Sequence, residues 1–131
     1  MDKLILVACL PEHIAVFLGL ETDRRVRIYR SKGLLAHLLK RKHFIAVKYF
    51  DFISDIIREP DYAGIGENEI ELVKCYKDNI FLCIKFDISK RKYYISTIFD
   101  IKQSKIESYC KSGRLTKLTK ERPKLYNENE I

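Results

Sequence analysis

The pattern of apolar positions in the first forty residues predicts two short strands and two helices. Residues 4–9 are almost all apolar over a length that suits a buried strand, and residues 11–20 fit a short helix with proline in its first turn. A second short strand is predicted at residues 26–29. The next helix is predicted from an N-cap at Ser31 to about Lys42, because leucines recur there at helical spacing. These leucines are Leu34, Leu35, Leu38 and Leu39.

The clearest amphipathic helix of the chain is predicted to begin at Phe44. Its apolar residues recur at steps of three and four: Ile45, Tyr49, Phe52, Ile53, Ile56 and Ile57. Pro60 stops this helix, because proline has no N–H to donate within a helix. Residues 61–66 contain two glycines and an aspartate, which is the composition of a turn.

After this turn the apolar spacing changes from helical to alternating, which predicts a sheet. Three strands are expected at residues 70–76, 80–88 and 93–99, joined by polar turns into an antiparallel meander. Residues 101–112 then predict a helix that Gly113 ends. The predicted fold class is α+β, with N-terminal helices packed on a curved antiparallel β-sheet.

Length and composition favour one globular domain. The chain has 131 residues, 47% of them hydrophobic, which is enough for one core. We expect this domain at residues 1–119 and a polar tail at residues 120–131. No apolar run approaches the roughly 20 residues that a membrane span needs. Pro11 interrupts the apolar N-terminal stretch early, so we interpret it as a strand and expect a cytoplasmic protein without membrane contact.

The cysteine pattern predicts neither a metal site nor a disulfide. Cys9, Cys75, Cys83 and Cys110 form no CxxC pair, and no histidine lies at zinc-ligand spacing from them. Reduced thiols, some of them buried in strands, are the interpretation that this pattern favours. We therefore expect no metal ion and no cofactor.

The net charge of +7 is unevenly distributed along the chain. Residues 24–50 carry nine Lys and Arg and no acid, and residues 85–124 carry twelve basic and four acidic residues. Between them, residues 51–79 carry eight acids and three basic residues. If the fold brings the two basic blocks to one face, they form a surface for phosphate groups. Charge alone is equally consistent with a solvated surface.

The segment from His37 to His43 is the most informative one for chemistry. It places two histidines six residues apart with three cations between them, Lys40, Arg41 and Lys42. Histidine suits proton transfer near neutral pH, and neighbouring cations can hold a phosphate. On composition alone, a basic helix end whose cations stabilise the helix dipole is the simpler interpretation.

The two histidines can serve one site only if the helix ends between them. Positions six apart on an ideal helix point ~120° away from each other. Phe44 opens a new apolar stripe, which indicates that the helix ends or bends just before His43.

Three features occur in one order: the His37 to His43 segment, the amphipathic helix that ends at Pro60, and the strand of residues 94–99. This order resembles the phage-associated barnase–EndoU–colicin–RelE-like nuclease family over residues 26–115. The resemblance implies a metal-independent ribonuclease, borne by a phage or mobile element as a toxin or effector. It also implies N-terminal helices on an antiparallel sheet.

The resemblance also implies roles for individual residues. His37 and His43 match the helix histidines of the family and become base and acid in an order left open. Thr97 matches a strand hydroxyl and would donate a hydrogen bond to a phosphate oxygen. Without the resemblance, Thr97 would be interpreted as an ordinary strand residue. The expected phosphate- and RNA-binding residues are Lys40, Arg41, Lys42, Lys74, Tyr94 and Arg114.

The expected reaction is attack of a 2′-hydroxyl on the adjacent phosphate, which leaves a 2′,3′-cyclic phosphate. RNA is the expected partner, with tRNA as the substrate by family analogy, and an immunity or antitoxin protein is a further expected partner. Two other classes stay open. One is a non-catalytic nucleic-acid-binding module of a mobile element, and the other is an interaction domain for an acidic protein.

Overall fold

The computed structural model describes residues 3–20 and 25–118 of the chain. The strands in this part are β1 (Leu4–Leu10), β2 (Val26–Ser31), β3 (Tyr62–Gly66), β4 (Glu69–Cys75), β5 (Asn79–Asp87), β6 (Lys92–Asp100) and β7 (Thr116–Lys117). The α-helices are α1 (Glu12–Phe17), α2 (Leu34–Lys40), α3 (Phe44–Lys48), α4 (Ile53–Arg58) and α5 (Gln103–Lys111). A short 3₁₀ helix, Phe50–Phe52, joins α3 to α4. The tail predicted at residues 120–131 lies outside the described residues.

The strands form one mixed sheet in the order β1-β2-β6-β5-β4-β3-β7. All neighbours are antiparallel except β2 and β6, which pair in parallel. The α+β class and the meander of β4, β5 and β6 are confirmed. The expected order of helices before a purely antiparallel sheet is not what the structure shows, because β1 precedes every described helix and β2 runs parallel to β6. Short apolar runs such as residues 4–9 do not specify the edge or direction in which they pair.

Apolar residues are buried on both faces of the sheet. On the first face, here called the helix face, α1 to α4 pack over the main core. On the opposite face, α5 covers a second core in which Ile106 packs with Val73 and Phe81. Alternation along β5 assigns the faces, because Ile80, Leu82 and Ile84 belong to the main core and Phe81 and Cys83 to the second.

Several predicted helix boundaries differ from the structure. Ser31 is the last residue of β2 rather than a helix N-cap, and α2 begins after Gly33. The predicted long helix from Phe44 is divided into α3, the 3₁₀ helix and α4. Apolar periodicity marks the buried side of all three pieces, but it does not show that the axis changes direction between them.

Residues 61–66 were expected to be a turn, and they are not. Residues 62–66 form β3, which pairs with β4 on one side and β7 on the other. Gly64 is required there by a close approach, because a Cβ at this position would collide with the backbone carbonyl of Arg114. The glycine content of this segment therefore reflects strand packing, a use of glycine that composition does not distinguish from a turn.

Candidate active site

The helix that carries His37 ends before His43, as the sequence predicts. Lys42 has a positive φ of 61°, and its N–H donates to the Leu39 carbonyl at 3.1 Å. The His43 N–H donates to the Leu38 carbonyl at 2.9 Å. This pair of bonds is the Schellman motif, in which a residue of left-handed conformation ends a helix. His43 then stands at the N-cap of α3, so the condition for a histidine pair in one site is met.

Replacing Lys42 by glycine is expected to stabilise the protein by about 0.5–1 kcal/mol, because glycine adopts a positive φ without the steric cost of a Cβ. The free energy of unfolding in urea measures the change. The matched control is Lys40→Gly at the last helical position of α2, which should be destabilising. A Lys42→Gly protein that is less stable than wild type would contradict the left-handed conformation at this residue.

We call α2 and its link to α3 the helix junction. The predicted site residues of this junction are all exposed on the outer side of the helix layer. His37 and Lys40 lie on α2, and Arg41, Lys42 and His43 form its link to α3. Lys74 belongs to the helix face too, because it pairs across strands with the buried Ile80. Its ammonium donates to the Glu59 carbonyl at 2.7 Å, so it binds the carboxyl end of α4.

Thr97, Tyr94 and Arg114 lie on the other face of the sheet. Thr97 pairs with Cys83 of the second core, and residues that pair directly point to the same side. Tyr94 pairs with Lys85, two positions from Cys83 on β5, and therefore shares that side. Arg114 follows α5 and binds Glu71, which pairs with Cys83 from β4.

The sequence-predicted site is therefore divided by the sheet. His37 and His43 are in the layer on the helix face, whereas Thr97, Tyr94 and Arg114 are on the opposite face. One phosphate cannot contact both sets. The two basic blocks are divided in the same way. Four cations of the first block, Lys40, Arg41, Lys42 and Lys48, lie on or between α2 and α3, whereas Arg27 on β2 is on the opposite face with Lys92 of the second block.

Part of the opposite face carries no covering helix among the described residues. We call this part the open face; it comprises β1, β2, β6 and the end of β5, with Leu6, Arg27, Tyr29, Lys85, Lys92 and Tyr94. Tyr29 and Tyr94 are partners in the parallel pairing, and the Lys92 ammonium lies 4.9 Å from the centre of the Tyr29 ring. Aromatic rings and cations thus alternate across neighbouring strands.

A bidentate ion pair stands where α5 stops covering the sheet. The Arg114 Nε and Nη2 atoms donate to the two carboxylate oxygens of Glu71 at 2.7 and 2.6 Å. The Glu71 side chain is 4% exposed and that of Arg114 is 45% exposed. The guanidinium also lies 4.0 Å from the centre of the Tyr109 ring. One edge of Arg114 is thus occupied, and its other N–H groups can hold a phosphate oxygen.

Glu69 lies beside this pair and is half-buried. It shares a face with Glu71 two positions away and pairs with Lys85, and its carboxylate accepts a hydrogen bond from the Cys83 thiol at 3.3 Å. The pKa of Glu69 is lowered, first by hydrogen bonding with the Glu71 carboxyl and then by Cys83, Lys85 and Arg114, while burial opposes this. Glu69 is thus kept as a carboxylate between two cations.

The pKa of the neighbouring Cys83 thiol is shifted in the opposite direction. Burial, together with the hydrogen bond to Glu69, raises the pKa of its thiol to about 12. A thiol with this pKa stays protonated at neutral pH, so Cys83 is a hydrogen-bond donor to Glu69 and not a nucleophile.

Sequence reasoning missed Glu69, Glu71 and Lys85. The signal was present in β4, where Glu69 and Glu71 alternate with the apolar residues Ile70 and Leu72. Two carboxylates on one side of a strand whose other side is apolar point away from the main core together.

No group of three or more His, Cys, Asp and Glu side chains in the described part is placed to hold a metal ion. No helix there has the length and the apolar character that crossing a membrane requires.

Comparison with known proteins identifies a family. No curated protein and no solved structure matches the chain significantly. A family model does, and its match covers residues 6–108, which is most of the chain. The description of that model is phage-Barnase-EndoU-ColicinE5/D-RelE like nuclease3. The resemblance stated from the order of sequence features is confirmed, and the chain belongs to this family of phage-associated nucleases.

Proposed function

We propose that the chain is a metal-independent endoribonuclease that cleaves RNA through attack of a 2′-hydroxyl on the adjacent phosphate. The observation that carries the proposal is the grouping of Glu69, Lys85 and Arg114 on one sheet face next to Tyr94. This grouping combines a proton acceptor, two cations and an aromatic ring. We further propose that residues 1–119 form one domain that acts in the cytoplasm as a phage or mobile-element toxin or effector.

In the proposed reaction Glu69 takes the proton of the 2′-hydroxyl. The 2′-oxygen then forms a bond to phosphorus while the bond from phosphorus to the 5′-oxygen breaks, and the leaving 5′-oxygen receives a proton. Lys85 or its cross-strand partner Tyr94 can donate this proton. The products are a 2′,3′-cyclic phosphate and a free 5′-hydroxyl.

Positive charge and hydrogen bonds stabilise the crowded phosphorane in this proposal. Glu71 fixes the orientation of the Arg114 guanidinium, so little reorganisation is needed when charge develops on the phosphate. Thr97 lies on the same face, and its hydroxyl can donate a hydrogen bond to a phosphate oxygen. This is the role that the family resemblance implies for it. Arg27 and Lys92 extend the positive surface along the strands.

The helix junction is the alternative location for the acid and the base. His37 and His43 would act there with Lys40, Arg41 and Lys42 as phosphate contacts, and the helix break at Lys42 favours it. The sheet face that carries Glu69 is preferred because its proton acceptor and its arginine are held by hydrogen bonds, from Cys83 to Glu69 and from Arg114 to Glu71. Lys74 is engaged with the Glu59 carbonyl, which gives it a structural contact in either case.

The proposal is tested by incubating the protein with total RNA, tRNA and a DNA strand, each with and without EDTA. We expect cleavage of RNA that EDTA does not reduce, with fragments that carry 2′,3′-cyclic phosphate and 5′-hydroxyl ends. Activity that EDTA abolishes and Mg²⁺ restores would overturn the mechanism. Binding of RNA without any cleavage would favour the alternative function, a non-catalytic nucleic-acid-binding module. Addition of a co-encoded immunity or antitoxin protein would then show whether such a partner inhibits the activity.

A further inference from the structure

A shallow groove crosses the open face beside Tyr94. It is lined by Leu4, Ser31, Asp87, Lys90 and Tyr94, which come from β1, β2, β5, the β5–β6 turn and β6. Leu4 pairs with Ser31 and Tyr94 pairs with Lys85, so the groove lies on the same face as Glu69. It is separate from the Glu71–Arg114 pair, which stands at the boundary with α5.

We infer that this groove binds one unpaired nucleotide of the RNA, with the base stacked on Tyr94 and the phosphate near Lys90. The inference rests on the proposed function for the choice of RNA, and it adds that the substrate is recognised as a single strand. A nucleobase has a flat apolar surface on both sides, and Tyr94 and Leu4 offer an aromatic and an aliphatic surface of that kind.

The turn between β5 and β6 holds Lys90 in place. The Asp87 carboxylate accepts hydrogen bonds from the Ser89 hydroxyl at 2.7 Å and from the Lys90 N–H at 3.2 Å. These bonds stabilise the turn and fix the backbone of Lys90, which is one of the residues that line the groove. Lys92 is the cross-strand partner of the groove-lining Asp87 and adds a second positive charge on the same face.

Duplex RNA cannot make the stacking contact that this groove offers. In a duplex the faces of the bases are stacked on each other, and only their edges and the backbone are accessible to a protein. Tyr94 can stack only on a base that has left the helix or was never paired. Neighbouring strands are about 5 Å apart, so Tyr94 lies roughly 10 Å from Glu69 between Cα atoms, close enough for a base adjacent to the cleaved phosphate.

The inference is tested with fluorescently labelled hexanucleotides whose 2′-oxygens are methylated. These probes have no free 2′-hydroxyl, so the wild-type protein can bind but cannot cleave them. We expect the single-stranded probe to bind at least tenfold more tightly than the same probe annealed to its complement. Tyr94→Leu should weaken single-strand binding roughly 5- to 140-fold, the range for loss of one stacked base. Tyr94→Phe keeps the ring and should bind like wild type.

Two controls separate this inference from general electrostatic attraction. Lys90→Gln should weaken single-strand binding more than Lys111→Gln on the exposed side of α5, which removes the same charge elsewhere. Equal affinity for the single strand and the duplex, or a Tyr94→Leu protein that binds like wild type, would overturn the inference. This binding assay does not depend on cleavage. A protein that cleaves no RNA in the activity test but shows the Tyr94 dependence would therefore refute the proposed function and leave the groove assignment intact.

Discussion

Replacing Glu69 by glutamine is expected to lower the rate of RNA cleavage by about 10²–10⁴-fold, the usual contribution of one general acid or base. Glutamine has nearly the same shape and keeps a carbonyl that can accept the Cys83 hydrogen bond. It cannot take a proton from the 2′-hydroxyl. RNA affinity should change much less, because Lys85, Arg114 and the cations of the open face stay in place. Single-turnover cleavage and probe binding measure the two effects separately.

The pH dependence of cleavage distinguishes Glu69 from a histidine base. The pKa of Glu69 is lowered, so the carboxylate is present above its ordinary value near 4.5 and is lost only at more acidic pH. The acid limb of the rate profile should therefore lie below pH 4.5. A histidine base would place that limb at about pH 6.5. Stability across this range must be followed in parallel, because protonation of Glu69 also removes part of the folding free energy at low pH.

The matched comparison is His37→Ala and His43→Ala. With the catalytic centre around Glu69, each variant should stay within a few-fold of wild type, since the sheet separates these residues from Glu69. A loss of 10²–10⁴-fold in the histidine variants, with Glu69→Gln unaffected, would move the centre to the helix junction. That result would support the role that the sequence analysis expects for the two histidines.

Replacing Arg114 by alanine is expected to lower the free energy of unfolding by about 2–3 kcal/mol at neutral pH. Breaking a buried ion pair costs roughly 3–5 kcal/mol, and the 45% exposure of Arg114 reduces the loss through solvent screening. The cost arises because the Glu71 carboxylate, whose side chain is only 4% exposed, is left buried without its partner. Urea unfolding at fixed pH measures it.

The Arg114→Ala deficit should arise from the uncompensated Glu71 carboxylate rather than from lost packing on Tyr109. A double replacement separates the two causes, because it removes the carboxylate together with the guanidinium. Replacing both Glu71 and Arg114 by methionine should recover part of the stability.

The sequence predicted best where one periodicity persists over a whole element. The alternation in β5 correctly separates Ile80, Leu82 and Ile84 from Phe81 and Cys83, because every second side chain of a strand faces the same core. The helix break before His43 was predicted for a comparable reason, since a new apolar stripe begins at Phe44. Local patterns therefore identified the elements of the meander and the helix junction.

The placement of Thr97 depends on a feature that alternation does not show. Uninterrupted alternation would place Thr97 on the same side as Ile95, facing the helices. In the structure Ile84 pairs with Ile95 and Cys83 with Thr97, so Ser96 is an extra residue in β6. This β-bulge moves Thr97 to the side of Tyr94. The Glu71–Arg114 pair was equally hidden, because 43 residues separate the partners and only the return of the chain after α5 brings them together.

The short connection after α5 limits the lengths that this part of the chain can tolerate. Gly113 ends the helix with a φ of +82°, Leu115 is 2% exposed in the second core, and Thr116 already pairs with Ala63. Arg114 stands between these anchors, with its carbonyl directly over Gly64. Most surface loops accept insertions at small cost, because loop-closure entropy rises slowly with length. Here a single inserted residue would displace the guanidinium from Glu71 or pull β7 away from β3, so the spacing of this connection is as constrained as the identity of its residues.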